Sequence, residues 1–217
     1  MTARSPSVDA LLARVRAAVR AQPVTVATVP DQTVVRRIPR DRAGLSELTD
    51  LFAVKAAAVG MRVTRTSDAD LDAMLTKLLE GHGETGRIVV AVRDAQLAAR
   101  ATAAAAGRLA PNDDDDVLFD CAIGITDVDA AIAESGSIVV STNGRIRNAW
   151  ITPPVHIAIV RASHILPDLV DLFELRPDTL DAASTTIITG PSKTADIEGV
   201  LVTGVHGPAV VEVVLVN

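Results

Sequence analysis

The final stretch of the chain, Ala209-Val210-Val211-Glu212-Val213-Val214-Leu215-Val216, is apolar at nearly every position. Valine is branched at Cβ and enriched in β-strands, so the stretch predicts a strand. A strand with one face in solvent alternates apolar and polar residues, whereas this one is apolar on both faces. Ile88–Val92 and Val155–Val160 share this composition. Such strands are typical of a parallel sheet that is covered on both sides.

Helical patterns separate these strands along the chain. Five helices are predicted after the N-terminal region, at 46–59, 68–80, 96–109, 126–134 and 167–175. Apolar residues recur at helical spacing in the first two. The helix at 126–134 is predicted from a capping box, in which Thr126 and Asp129 satisfy free N–H groups at the helix start. Further strands are predicted at 61–66, 119–124, 137–142 and 185–189. We therefore expect an α/β fold with a mostly parallel sheet covered by helices on both faces.

The N-terminal region differs from the rest. Residues 1–44 contain an amphipathic helix followed by an extended connection rich in proline and arginine, and residues 45–217 form the α/β domain. The helix carries its apolar residues on one face, and these are Val8, Leu11, Leu12, Val15 and Val19. This pattern favours a packing or dimerisation element over a membrane anchor, so a homodimer is one expectation.

Composition excludes several classes of function. Aromatic residues make up 2% of the 217 residues and the net charge is −6, which argues against nucleic-acid binding. Cys121 is the one cysteine, so the chain forms no internal disulfide and cannot supply the roughly four ligands of an iron–sulfur cluster. No segment reaches the roughly 18–20 continuous apolar residues of a membrane span, and no signal-peptide pattern is present. These features predict a cytoplasmic protein that does not enter a membrane.

The densest polar chemistry lies in Gly190-Pro191-Ser192-Lys193-Thr194-Ala195-Asp196-Ile197-Glu198. Ligands of parallel sheets bind beyond the carboxyl ends of strands, and this segment follows the predicted strand 185–189. Gly190 permits close approach of the backbone, while Ser192, Lys193 and Thr194 offer hydroxyls and a positive charge. A helix predicted to begin after them would add N–H groups. Of Asp196 and Glu198, one could cap this helix while the other faces the site, and Asp196 is counted with the ligand-binding residues. The segment predicts a site for phosphate, carboxylate or a phosphorylated cofactor; the alternative is a helix cap with a surface lysine.

Other segments offer candidate residues. His206, between Gly204 and Gly207-Pro208, is either a backbone-bonded structural residue or a proton donor and acceptor. Glu134 is predicted to end a helix, where its charge opposes the helix dipole, so it is either a functional carboxylate or an exposed helix end.

Several further residues are weaker candidates. Arg145 or Arg147 could bind a carboxylate. His156 is predicted to be half-buried in a strand and His164 to lie in an exposed loop. The segment Gly81–Gly86, with His82 and Glu84, is a binding loop or a flexible turn. The histidines are too widely spaced for a metal motif, so no metal site is predicted.

Four of these segments together resemble the LUD-domain family, and within it the lactate-utilisation protein C group. They are 125–137 (ITDVDAAIAESGS), 154–157 (PVHI), 190–198 (GPSKTADIE) and 204–208 (GVHGP). The resemblance implies a fold like that of the sugar-phosphate isomerase and CoA-transferase superfamily. It also implies a role in oxidation of L-lactate to pyruvate beside two iron–sulfur partner proteins.

Three hypotheses of function follow. In the first, the chain is an accessory subunit of a lactate-oxidising system and binds a small carboxylate or an anionic cofactor, whose identity the sequence leaves open. In the second, it is a transferase or isomerase acting on a phosphorylated or CoA-linked metabolite, with Glu134 as nucleophile or base and Lys193 binding the anion. In the third, it is an interaction module without chemistry.

Overall fold

The computed structural model of the chain describes residues 6–21, 44–83, 85–111, 115–195 and 201–217. Its helices are α1 (Pro6–Ala21), α2 (Leu45–Ala58), α3 (Leu71–Gly81), α4 (Ala95–Ala104), α5 (Asp115–Phe119), α6 (Asn148–Ile151), α7 (Leu169–Leu175) and α8 (Pro177–Leu180). Its strands are β1 (Arg62–Thr66), β2 (Arg87–Ala91), β3 (Cys121–Asp127), β4 (Ala130–Ile132), β5 (Ser137–Ser141), β6 (Val155–Arg161), β7 (Ile165–Leu166), β8 (Thr185–Ile188), β9 (Lys193–Ala195), β10 (Leu201–Thr203) and β11 (Val210–Val216).

The central sheet has five strands in the order β1-β11-β6-β3-β2, and every neighbouring pair is parallel. The apolar strands predicted from the sequence are β2, β6 and β11, and β11 and β6 lie side by side in this sheet. The predicted α/β class with a mostly parallel sheet is confirmed.

Both faces of the sheet are covered, as predicted. On one face α3 and α4 pack against residues such as Ile157 and Val214. On the other face α2 and α6 pack against residues such as Ala158 and Val213. That second layer also contains a four-stranded sheet, β7-β4-β5-β8, which was not predicted. In it β4–β5 and β5–β8 are antiparallel, and β4–β7 is parallel.

The predicted helix at 126–134 is wrong. Residues up to Asp127 belong to β3, and β4 follows at Ala130–Ile132. The side chains that suggested a capping box bind elsewhere. The Thr126 hydroxyl lies 2.9 Å from His156 Nε2, and the Asp129 carboxylate accepts from the Ser141 N–H at 2.7 Å. Contacts distant in sequence therefore replace the local cap.

Two further predictions need correction. Residue 119 ends α5, so the strand predicted at 119–124 begins instead at Cys121. The helix predicted after Thr194 lies outside the described residues except for Ala195, which belongs to β9 (Lys193–Ala195), paired antiparallel with β10. Moreover, β8 lies at the edge of the smaller sheet, antiparallel to β5, and not in the parallel sheet.

The N-terminal helix α1 belongs to a compact unit of residues 1–35, and its apolar side chains Val8, Leu11 and Val15 are exposed. The connection predicted for residues 22–44 lies, up to residue 43, outside the described residues. In the part of the chain that the structure describes, no helix combines the length and apolarity needed to cross a membrane.

Candidate functional site

The loop after β8 and the loop before β11 are bonded to each other. The Ser192 N–H donates to the Pro208 carbonyl at 2.9 Å, and the Gly204 N–H donates to the Ser192 carbonyl at 2.9 Å. Gly190 has a φ of +95°, and a Cβ there would lie 2.4 Å from the Val59 carbonyl oxygen. Only glycine fits this close approach to the end of α2. The two motifs that stood out in the sequence therefore form one structural feature.

These loops form one wall of a groove of about 310 Å³, which we call the hairpin groove. It is lined by Trp150, Ile151, Thr186, Ile187, Ile188, Thr189, Gly190, Ser192, His206, Gly207, Pro208 and Val211. A second hollow of about 330 Å³, the Phe119 hollow, lies beside it and shares Ile151, His206 and Gly207. The imidazole of His206 thus borders both spaces, where it can donate or accept a hydrogen bond.

Three of the predicted site residues, Gly190, Ser192 and His206, line the hairpin groove together. Lys193 is exposed, and a methyl group built on Gly60 would lie 3.6 Å from its Nζ atom. The amino group therefore lies near the end of α2, where backbone carbonyls favour a cation. Neither Lys193 nor Thr194 is among the residues lining the groove.

Asp196 and Glu198 lie outside the described residues, as does Glu84. Their predicted roles stay predictions.

Glu134 does not end a helix. It lies half-buried in the turn between β4 and β5, and its N–H donates to the Pro167 carbonyl at 3.0 Å. The argument from an opposed helix dipole is therefore wrong.

A chain of hydroxyl groups leads from the residue after Glu134 to the groove. Ser135 Oγ lies 2.7 Å from Ser137 Oγ, which lies 2.8 Å from Thr189 Oγ1. Thr189 lines the groove, and β5 places Ser137 next to it by pairing with β8. Each hydroxyl can both donate and accept, so the three side chains form a connected hydrogen-bond network that reaches the groove at Thr189.

His156, His164 and Arg145 make contacts within the fold. His156 is fully buried rather than half-buried, and burial lowers its pKa to about 3. His164 is half-buried in a 3₁₀ turn, with Nδ1 3.3 Å from the Val128 carbonyl oxygen. Arg145 is buried, with Nε 2.7 Å from Asp127 and Nη1 2.9 Å from Asp129. It is thus engaged with two carboxylates of the chain itself.

The pKa of Asp127 reflects this pairing. Burial would raise it, but the hydrogen bond and charge of Arg145, with the N–H groups of Arg93 and Asp94, lower it below its ordinary value. Among the described residues, no group of three or more His, Cys, Asp or Glu side chains is placed to hold a metal ion.

Comparison with known proteins now identifies the family. A family model described as the LUD domain matches residues 49–216, which include both loops of the groove. The chain belongs to the LUD-domain family.

Two curated relatives extend over most of the chain. A protein of Exiguobacterium sp. named Lactate utilization protein C is 33% identical over 81% of this chain and 80% of that protein. A protein of Anoxybacillus flavithermus with the same name is 28% identical over 82% of each. The crystal structure of a DUF162 family protein from Deinococcus radiodurans superposes with a TM-score of 0.62, over 81% of this chain and 99% of that one. Its sequence identity is 20%, so it supports the fold alone.

Sequence reasoning on this LUD domain missed two groups of residues. Ser137 and Thr189 were quoted only as parts of predicted strands, and their contact depends on the pairing of β5 with β8. Glu212 was passed over, although it is the one charged residue in an otherwise apolar strand. A charged residue within an apolar strand indicates a buried carboxylate, and a buried carboxylate needs a partner. The sequence alone could therefore have drawn attention to Glu212.

Proposed function

We propose that this chain acts in the cytoplasm in lactate utilisation, as an accessory subunit without an iron–sulfur cluster of its own. The observation that carries the proposal is the match, over about four fifths of the chain, to a relative named Lactate utilization protein C. The single cysteine supports the accessory role, because clusters take about four cysteine ligands. Electron transfer then belongs to iron–sulfur partner proteins.

We further propose that the hairpin groove binds a small carboxylate or an anionic cofactor. Ser192, Thr189 and His206 offer hydrogen-bond donors on one wall, and Gly190 lets the backbone come close to the ligand. Lys193 and Thr194 lie on the adjoining hairpin, where the ammonium charge adds attraction for an anion, and Asp196 follows them in the chain. Glu134 and His206 are the candidates for proton transfer.

Growth on L-lactate tests the role. A host strain lacking its own copy of this gene receives the wild-type chain or a variant with Ser192→Ala and His206→Asn. We expect growth with the wild type and a loss of at least about tenfold in rate with the double variant, since two hydrogen bonds to a charged ligand are removed. The matched control is His164→Asn, which lies outside the groove and should support normal growth.

Purification of the tagged chain from lactate-grown cells tests the partnership. Recovery of iron–sulfur proteins with the wild type is expected. Equal growth of the host with and without the gene would contradict the subunit role.

The size of the groove favours one alternative, a transferase or isomerase acting on a phosphorylated or CoA-linked metabolite. The hairpin groove and the Phe119 hollow, at about 310 and 330 Å³, together offer more apolar wall than a three-carbon acid fills. A thermal-shift screen with acyl-CoAs, sugar phosphates and nucleotides distinguishes this enzyme from the accessory subunit. Stabilisation by an acyl-CoA that Lys193→Ala or His206→Asn abolishes would support the enzyme, and a flat response to the whole set would exclude it.

A further inference from the structure

Glu212 is a buried carboxylate in the second strand of the parallel sheet. It is 4% exposed, and all six other residues of β11 are valine or leucine. Its neighbours Val211 and Val213 belong to the core under α2 and α6, so Glu212 points to the opposite face, towards α3. A buried charge is costly unless it is paired. Oε1 of Glu212 is accordingly 3.1 Å from Arg62 Nη1 and 3.1 Å from His82 Nε2.

The pairing fixes the tautomer of His82. A carboxylate only accepts hydrogen bonds, so Nε2 of His82 carries the proton that it donates to Glu212. In the neutral imidazole the other nitrogen, Nδ1, then carries a lone pair. In this tautomer His82 offers one hydrogen-bond acceptor, Nδ1.

His82 and Glu212 border a hollow of about 240 Å³, which we call the Glu212 hollow. Arg62 and Lys77 line it as well, so two cations face one carboxylate. Arg62 uses Nη1 for Glu212 while its side chain is 64% exposed, which leaves other N–H groups of the guanidinium for a ligand. Met74 and Leu78 supply an apolar wall from α3.

We propose that the Glu212 hollow binds a small 2-hydroxy carboxylate. The carboxylate of such an acid pairs with Arg62 and Lys77, and its hydroxyl, on the adjacent carbon, donates to Nδ1 of His82. A short alkyl group then packs against Met74 and Leu78. The site is separate from the hairpin groove, because Val211 lines the groove and the next residue, Glu212, lines this hollow on the other face of the sheet.

Isothermal titration of the full chain with L-lactate, propionate and inorganic phosphate tests the proposal. Propionate is the matched probe, because it differs from lactate by the hydroxyl alone. We expect lactate to bind about fivefold more tightly than propionate, which corresponds to one net hydrogen bond. His82→Gln and the near-isosteric Glu212→Gln should lower the lactate affinity to that of propionate and leave propionate unchanged.

Two further variants locate the site. Lys77→Met, an exposed substitution on α3 that leaves the core intact, should weaken both acids by at least about threefold, since an ion pair in partial contact with solvent is lost. His206→Asn separates the two sites, because it changes the lining of the hairpin groove and leaves that of the Glu212 hollow intact. His164→Asn, which lines neither space, should change neither affinity. A circular dichroism melt of each variant confirms that it is folded.

The opposite outcomes would overturn the inference. Equal affinities for lactate and propionate would exclude recognition of the hydroxyl, and phosphate binding as tightly as lactate would reduce the hollow to a general anion site. Loss of lactate binding in His206→Asn but not in Lys77→Met would place the acid in the groove, which contradicts this inference and supports the proposed function. No heat with any of the three would remove the inference and leave the growth test to decide the proposed function.

Discussion

A single buried imidazole makes the stability of the fold depend on pH. His156 lies in β6, and its Nε2 is 2.9 Å from the hydroxyl of Thr126 in β3. Its Nδ1 is buried without a partner among the described residues. Burial disfavours the charged form and lowers the pKa of His156 to about 3, so the folded protein holds the ring neutral.

Lowering the pH should therefore destabilise the folded state through His156. The unfolded chain takes up this proton near pH 6.5, whereas the folded chain does so only near pH 3. Between these values the unfolded state binds more protons, so the free energy of unfolding falls by about 1.4 kcal/mol per pH unit for this group. The stabilisation is complete above about pH 6.5.

Urea denaturation of the wild type, His156→Gln and His164→Asn between pH 5 and 7 measures this slope. The lowered pKa of Asp127 stabilises the fold above the ordinary pKa of aspartate, and this stabilisation is lost as the pH falls below that value. The range from pH 5 to 7 therefore avoids its contribution. We expect the slope to shrink in His156→Gln and to persist in His164→Asn. Equal slopes in the wild type and His156→Gln would contradict the assignment.

Arg145 holds two buried carboxylates, and its removal should be costly. Its side chain is fully buried between Asp127 and Asp129. Arg145→Met would leave both charges without this partner, so we expect a loss of about 3–5 kcal/mol in the free energy of unfolding. Arg147→Met, two residues along the same loop but exposed, is the matched control and should change it by less than about 0.5 kcal/mol. Comparable urea midpoints for the two variants would show that the pairing contributes little.

At the scale of elements, the contact between β3 and α6 positions one wall of the groove. Gly124 lies in β3, and a Cβ there would be 1.7 Å from the Ala149 carbonyl oxygen. The next residue of α6 is Trp150, which lines the groove and donates from Nε1 to the Thr186 hydroxyl at 3.2 Å. Gly124→Ala must therefore push α6 away from the sheet.

We expect Gly124→Ala to lower the free energy of unfolding by about 1–3 kcal/mol, since the backbone oxygen cannot move aside freely. Trp150 is the only tryptophan of the chain, so its fluorescence reports directly on the displacement. Gly81→Ala is the control, because a Cβ at that helical position meets nothing within 4 Å and alanine favours the helix. An unchanged emission maximum in Gly124→Ala would contradict the account.

Elements buried on both faces were predictable, and elements set by distant partners were not. The composition of β11 and β6 indicated the parallel sheet because a fully buried strand must be apolar on both sides. The segment 126–134 carried a local helix signal at Thr126 and Asp129, but those side chains bond His156, Arg145 and the backbone of β5. Local propensity is a weak guide where such tertiary contacts compete.

The same reason limited the prediction of the site. The motif at Gly190–Thr194 and the turn at His206 were recognisable from their residue types, and their contact through Ser192 brings them into one groove. The antiparallel pairing of β9 with β10 was not recognisable, because the stretch from Ser192 to Asp196 resembles a helix start. Lys193 consequently lies near the end of α2 rather than on the groove wall.

At the scale of the whole molecule, the first residues of β11 connect two layers. Val211 contributes to the groove under α6, and Glu212 contributes to the hollow under α3. Successive residues of a strand face opposite sides of the sheet, so a substitution at one of them leaves the lining of the other space unchanged. The two candidate sites can therefore be tested one at a time in a single protein.

The helix α1 offers the last prediction, which concerns assembly. All buried hydrophobic residues of the described core lie between Leu48 and Val216, whereas Val8, Leu11 and Val15 of α1 are 41–56% exposed. Residues 1–35 form a unit separate from residues 36–217. We expect a chain lacking residues 1–35 to remain folded, with Tm within a few degrees of the wild type, because it keeps the whole described core.

The exposed apolar side chains of α1 are expected to pair two copies of the chain, so the truncated protein should have the mass of a monomer and the full chain that of a dimer. Light scattering coupled to size exclusion measures both. The full-length variant Leu11→Asp with Val15→Asp removes the apolar face while keeping the helix, and it should also be a monomer. Equal masses for all three proteins would exclude pairing through α1. Unfolding of the truncated chain, but not of the double variant, would instead show that residues 1–35 stabilise the domain itself.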